Sequence, residues 1–323
     1  MIFGKIIEKN YRAQVYSRAD DTGCVFYFSA EDFEGLNRES HEFRSSLGHT
    51  LAGSFYYYGE KRSDRIVIFD HGMGGGHRSY MREIEVLARR GYTVFAYDHT
   101  GCMQSGGETT NGFAQSLCDL NDAVNEIKSL DEYRGAKIAV VGHSWGGFST
   151  LNISALHPEI THIVAMAGFA SVDRILKQNF RGLLGGFYRR AAEIEREANP
   201  EFSKYSAAES LKKSRAKALI IHSKDDPVVF FAEHFAYLES ELSDRENTEF
   251  LTVDGKGHNP NFTEDAVKYK NEFFSALQRK IKKKELDTEE KRRAFVDSFD
   301  WRRMTEQDGE LWNKIFDFLE DKQ

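Results

Sequence analysis

Lys137-Ile-Ala-Val-Val-Gly-His-Ser-Trp-Gly-Gly147 is the stretch that decides how this chain reads. Ile138 to Val141 is a short apolar, β-branched run, the pattern of a strand buried on both faces. Gly142-His-Ser144-Trp-Gly146 follows at once, and Phe148, Leu151 and Ile153 belong to a helix beyond it. Glycines on both sides of a serine permit a strand-to-helix reversal that side chains would block. Such a turn projects the hydroxyl out of the sheet at a helix N-terminus. The backbone N–H of Trp145 can then help to hold an oxyanion.

A serine is a weak nucleophile without a base and an acid to orient that base. Asp225-Asp226-Pro-Val-Val lies beyond the apolar run Ala218–Ile221, and Gly257-His258 lies beyond Glu249–Val253. The order serine, aspartate, histidine, each after a strand, predicts Ser144 as nucleophile, His258 as base and one of the paired aspartates as acid. Asp70-His-Gly-Met73-Gly-Gly-Gly76 follows the strand Ile66–Phe69 and offers a second oxyanion N–H at Met73. This loop matches neither phosphate-binding glycine pattern, since position 77 is histidine.

Working outward, Phe43–Ser46 and Thr50–Tyr58 predict a hairpin turning at Leu47-Gly48-His49, and Cys24–Phe28 predicts one short strand. Strands at 66–69, 93–97, 137–141, 162–167, 218–221 and 249–253 alternate with helix-like segments over 79–90 and 113–127. That alternation predicts a mostly parallel sheet covered by helices on both faces. Residues 171–208 exceed what one connecting helix needs and predict a cap insertion. Its aromatic content, with no evident cationic cluster, points to a neutral or moderately apolar acyl group. Asp287 and Glu290 have capping-box spacing and predict one helix. A second is expected from Thr305, with Leu311, Ile315, Phe318 and Leu319 on one face. A lone helix of that length is marginal, so the face should dock on the body or on a second subunit.

The chain has 323 residues, 40% hydrophobic and 29% charged, with 44 basic against 51 acidic side chains and a net charge of −7. That composition is globular and carries no general footprint for nucleic acid. Four prolines exclude a Pro-rich linker, and three cysteines at 24, 102 and 118 make neither a disulfide framework nor zinc spacing. Neither a signal-length apolar run at the N-terminus nor a membrane-spanning stretch is visible, so a cytoplasmic protein with reduced thiols is expected.

Asp70–Gly101, GHSWGG, DDPVV and GKGH together resemble a serine hydrolase of the α/β-hydrolase superfamily, in the monoacylglycerol-lipase and serine-aminopeptidase-like branch, over about residues 43–278. The resemblance implies a core of residues 1–170 and 209–285, the cap at 171–208 and a helical extension at 286–323 outside the family's usual extent. It implies no metal or organic cofactor. The family's small-x-x-acid pattern fits Ser223 to Asp226 and favours Asp226 over Asp225. Met103 stands where the family loop D-x-x-G-x-G-x-S has its second glycine. His71, Gly72, His143, Phe180, Leu183, Leu184, Phe187 and Tyr188 are expected to line the substrate site, and Cys102 to be an inert thiol. The expected activity is cleavage of a small-molecule ester. Thioesterase, acyltransferase and peptidase chemistry are alternatives on the same triad, and a non-catalytic binding protein is a remote one. A homodimer through the C-terminal extension is the expected assembly, with no nucleic acid partner.

Overall fold

In the computed structural model, residues 2–322 are described, apart from the side chains of residues 2, 3, 183 and 184. The side chains of Leu183 and Leu184, expected at the substrate site, therefore lie outside the described residues. Eight strands form one sheet: β1 (Leu36–Arg44), β2 (Thr50–Tyr58), β3 (Arg65–Asp70), β4 (Thr93–Tyr97), β5 (Lys137–His143), β6 (His162–Met166), β7 (Lys217–Ser223) and β8 (Thr248–Val253). Their order is β1-β2-β4-β3-β5-β6-β7-β8. The β1–β2 and β2–β4 pairs are antiparallel, and every later pair is parallel. This is the α/β-hydrolase fold.

Alternate residues of a strand face opposite sides of a sheet, and β3 shows the consequence. Ile66 and Ile68 join one core with α3 (Gln115–Ser129) and α4 (Trp145–Ile153), through Leu117, Leu120, Phe148 and Leu151. Val67 and Phe69 join the other with α2 (Met81–Arg89) and the last helix, α12 (Gly309–Leu319).

Between β6 and β7 the chain forms α5 (Val172–Asn179), a 3-10 turn, α6 (Tyr188–Ala198) and then α7 (Ala207–Lys213). Ser171 and Ser206 pair at the base of this insertion. A crevice of about 710 Å³ beside it is lined by Arg174, Lys177, Arg196 and Lys204, among others. Asp173, Glu195 and Glu233 line the same crevice, so its charge is mixed.

The chain ends differ from their sequence reading. The N-terminal segment, for which the sequence sets no helix expectation, forms helix α1 (Ile2–Val15). Glu195 of α6 holds it: its carboxylate accepts from the Tyr11 hydroxyl at 2.6 Å, the Tyr16 hydroxyl at 3.0 Å and the Phe113 N–H at 2.8 Å. That contact spans 184 residues and leaves no local signal. Cys24–Phe28 forms no strand. Phe28 stacks edge-on with Phe26, and Phe26 lies against Trp301, so side-chain packing replaces sheet pairing there.

After α8 (Phe235–Glu241) and α9 (Glu264–Lys282), the tail forms α10 (Glu289–Asp297), α11 (Trp301–Met304) and α12. Thr288 rather than Asp287 caps α10, its hydroxyl accepting from Lys291 N–H. The last helix begins at Gly309, not Thr305, because Asp308 Oδ1 accepts from the N–H groups of Glu310 at 3.0 Å and Leu311 at 3.1 Å. Leu311, Ile315, Phe318 and Leu319 pack with Val141, Val164 and Leu219 of the same chain's sheet. That face is spent on the body and is not free for a second subunit.

Ile315 is fully buried in this contact. Ile315→Ala should lower unfolding free energy by about 2–5 kcal/mol, the range for truncating a large buried aliphatic side chain. Urea denaturation would measure it, and a loss below about 1 kcal/mol would contradict the docking of α12.

Candidate active site

Ser144 sits between β5 and α4 with φ 57° and ψ −111°, a backbone region that L-residues rarely adopt. Its N–H donates to Met166 O at 2.9 Å, and its carbonyl accepts from Phe148 N–H at 3.0 Å. Gly146 permits the reversal, since a Cβ there would overlap the Asp70 carbonyl at the end of β3. Ser144 itself remains partly accessible.

His258 and Asp226 arrive from the loops after β8 and β7. His258 Nε2 lies 2.9 Å from Ser144 Oγ, and His258 Nδ1 lies 2.8 Å from Asp226 Oδ2. Asp226 Oδ1 accepts from the N–H groups of Val228 at 2.8 Å and Val229 at 3.0 Å. Burial alone would raise this carboxyl, but hydrogen bonding from His222 and His258 and the His258 charge outweigh it and hold it well below the usual range. Asp225 points elsewhere, accepting from the Ser223 hydroxyl and from Gly257 N–H at 3.1 Å.

Trp145 follows Ser144 directly, and a Cβ on Gly72 would come within 3.3 Å of Ser144 Cβ, so the backbone just before Met73 closely approaches the serine. His71 Nδ1–H donates to Gly72 O at 2.8 Å. In a trans peptide the C=O and the next N–H point opposite ways, so the Met73 N–H is directed away from the buried His71 ring. Trp145 is the first residue of α4; its indole is buried and donates to Phe113 O at 2.6 Å.

Two expected substrate contacts are interior supports instead. His71 is fully buried, with Nε2 accepting from His99 N–H at 3.0 Å. His143, also buried, donates from Nε2 to the His258 carbonyl at 2.6 Å and accepts at Nδ1 from the Tyr80 hydroxyl at 2.9 Å. Burial first, and then neighbouring imidazoles, pull both rings down to about 3, so both are neutral. They are buried because loops from β3 and β8 close over the end of β5, a meeting that local sequence does not show. In the cap, Phe180 is buried 5.7 Å from the Tyr11 ring rather than lining an open cleft, since α1 covers it. Phe187 and Tyr188 are half-buried against the same core, with the Tyr188 hydroxyl on Asp173.

Sequence reading missed the polar layer beneath Ser144. Asp70 accepts from the Tyr97 hydroxyl at 2.8 Å and from the Ser149 hydroxyl of α4. His99, fully buried, lies 2.9 Å from Asp70 and 3.3 Å from Asp119, at ion-pair distance but off the hydrogen-bond axis. Burial would strip its proton, yet the two carboxylates outweigh that and push it up to about 9. Asp119 also accepts from Thr100 N–H at 2.7 Å and from Gln115 at 2.7 Å. Cys118, Asp119 and Asp122 come close enough to hold an ion, but both carboxylates already accept hydrogen bonds, Asp122 from Ser46. Cys102 is buried and its thiol is raised by that burial, as an unreactive thiol would be.

The loop after β4 departs from the family pattern at Met103, which nevertheless adopts the left-handed φ of 42° that glycine takes freely. The segment after α1 secures it: Met103 N–H donates to Ala19 O at 2.8 Å, and Arg18 donates to the Met103 and Ser105 carbonyls. Asp98 braces the loop, accepting from His77 N–H at 2.8 Å and from Gln104 N–H at 3.2 Å. Lys256, two residues before His258, is buried and reaches Phe262 O at 2.7 Å and Asp308 Oδ2 at 3.0 Å, tying the base loop to the tail.

A family model described as alpha/beta hydrolase fold matches residues 65–202. The uncharacterized protein YqkD of Bacillus subtilis is 25% identical over 243 residues, covering 69% of this chain and 73% of that protein. Monoglyceride lipase of Rattus norvegicus is 31% identical over 103 residues, 31% of this chain and 33% of the lipase. Among solved structures, the Pyrococcus furiosus esterase Pf2001 superposes with a TM-score of 0.58 at 20% identity, covering 83% of this chain and 98% of the esterase. Together with the sheet order and the turn at Ser144, these likenesses show that the chain has the α/β-hydrolase fold.

Proposed function

We propose that the protein is a serine hydrolase that cleaves a carboxylic ester through an acyl-enzyme. One observation carries this reading: the continuous run from Ser144 Oγ to His258 Nε2 at 2.9 Å and from His258 Nδ1 to Asp226 Oδ2 at 2.8 Å. Ser144 attacks the acyl carbonyl while His258 takes its proton. The Met73 and Trp145 N–H groups hold the oxyanion. His258 then protonates the leaving alcohol, and water deacylates Ser144 with His258 again as base. Asp226 stabilises the imidazolium formed in each half-reaction. His143 acts through the His258 backbone, and His71 through the Gly72–Met73 peptide, so both are positioning residues.

A fluorophosphonate probe should label the protein at Ser144. Ser144→Ala should lose both labelling and hydrolysis of short p-nitrophenyl esters while keeping the wild-type thermal midpoint. Activity retained in that variant would refute the assignment.

The paired aspartates give a second check. Asp226→Asn should lower kcat by about three to four orders of magnitude, since the base loses its orienting carboxylate. Asp225→Asn should stay within about tenfold of wild type, because its contacts to Ser223 and Gly257 brace the loop without reaching the imidazole. Steady-state kinetics on both variants would decide, and the opposite ranking would move the acid to Asp225.

A further inference from the structure

A cavity of about 240 Å³ opens beside the oxyanion loop. Gly72 and Met73 form its inner edge, and Asn259, next to His258, borders it too. One wall comes from residues 78–83, and others come from segments outside the family match: Val25–Phe28 before β1, Phe273 and Phe274 of α9, and Trp301 and Met304 of α11. The chain ends that frame it are fixed by Arg78, which donates to the carbonyls of Tyr27 at 3.0 Å and Phe28 at 3.3 Å, and by Arg302, which donates to Asp32 O at 2.5 Å.

The walls are largely apolar and aromatic, and the charged side chains among them are Arg78, Arg82, Glu83 and Lys270, the one ammonium. Lys270 Nζ lies 4.8 Å from the Phe262 ring and donates to Asn259 Oδ1 at 3.0 Å, its one hydrogen-bond acceptor among the described residues. Burial pulls it down to about 8, the Glu83 charge opposing, so it stays mostly protonated at neutral pH. Glu83, the acid on the same wall, is bonded by Asn261 at 2.8 Å and is itself raised by burial, which weakens it as a counter-ion. Arg82 adds a second guanidinium whose Nε has no hydrogen-bond partner among the described residues. An apolar cavity with a few convergent polar groups is the usual form of a small-ligand site. An apolar cavity of about 150 Å³ holds benzene, so this one has room for a ring and a short substituent.

We propose that this cavity takes one arm of the substrate, an apolar group about the size of a phenyl ring that ends in a carboxylate, with Lys270 as the carboxylate's partner. The assignment of an ester arm rests on the hydrolase reading above; the ligand site does not. A carboxylate here would gain a charge-assisted hydrogen bond in a partly dry setting, where such bonds are strongest. Through Asn259 the same ammonium adjoins the loop that carries His258, so filling the cavity would also brace the base.

Isothermal titration of the full-length protein with 3-phenylpropionate and with 3-phenylpropanamide tests the site without turnover. The acid should bind saturably and about tenfold more tightly than the amide. Lys270→Met should remove that preference while leaving amide binding unchanged, and Val25→Trp, which fills the cavity, should abolish binding of both. Equal affinity for acid and amide in the wild type, a preference that survives Lys270→Met, or no binding of either compound would overturn the proposal. Acid binding in a protein that the fluorophosphonate probe fails to label would support the site while refuting the hydrolase reading.

Discussion

The strained backbone at Ser144 is the constraint on which the rest of the structure depends. Holding a non-glycine residue at φ 57°, ψ −111° costs on the order of 1–3 kcal/mol, and such strain persists only where the surroundings over-determine it. Here they do. β6 anchors the Ser144 N–H, α4 anchors its carbonyl, and the end of β3 presses on Gly146 so closely that no side chain fits. A parallel sheet makes this possible because β3, β5 and β6 are neighbours whose carboxyl ends lie together. The loops after β3, β7 and β8 then bring Gly72, Asp226 and His258 to the same turn.

Beneath that turn lies a layer in which charge replaces apolar packing. His99 sits between Asp70 and Asp119, and Asp70 reaches both Tyr97 of β4 and Ser149 of α4. Buried charges are tolerated only when paired and hydrogen-bonded. This cluster pairs all its charges, and its carboxylates take hydrogen bonds from two strand ends and two helices, while His99 is held by ion pairing alone. It thereby fixes their relative positions, including the peptide after His71. Three buried imidazoles behind the Ser144 turn divide by surroundings: His99 faces carboxylates and keeps its proton, whereas His71 and His143 face carbonyl and hydroxyl groups and stay neutral.

The two ends of the chain act on the same region. Arg18 and Ala19 secure the loop containing Met103, Glu195 fastens α1 to the insertion, and Asp308 grips Lys256 beside the base. Val25 to Phe28 near one end and Trp301 and Met304 near the other thus wall the flank of the loop that carries Met73.

From sequence alone, the alternating strands, the turn at Ser144 and the order serine, aspartate, histidine are legible. Each is a local pattern: strand burial leaves β-branched runs, sharp turns leave glycines, and the fold's topology fixes the order of its loops. The preference for Asp226 over Asp225 rests on the family resemblance, while the residues alone leave both open; the folded chain sets Asp226 Oδ2 2.8 Å from His258 Nδ1. What tertiary structure alone decided has no local period. Helix α1 is stabilised by a carboxylate 184 residues away, Phe28 packs with aromatic partners instead of pairing in a sheet, and Lys256 meets its acid 52 residues later. His71 and His143 read as cleft residues because their neighbours in sequence are, yet they are buried by loops converging from other strands. Burial and pairing of polar groups depend on which distant segments meet, and only the folded chain determines that.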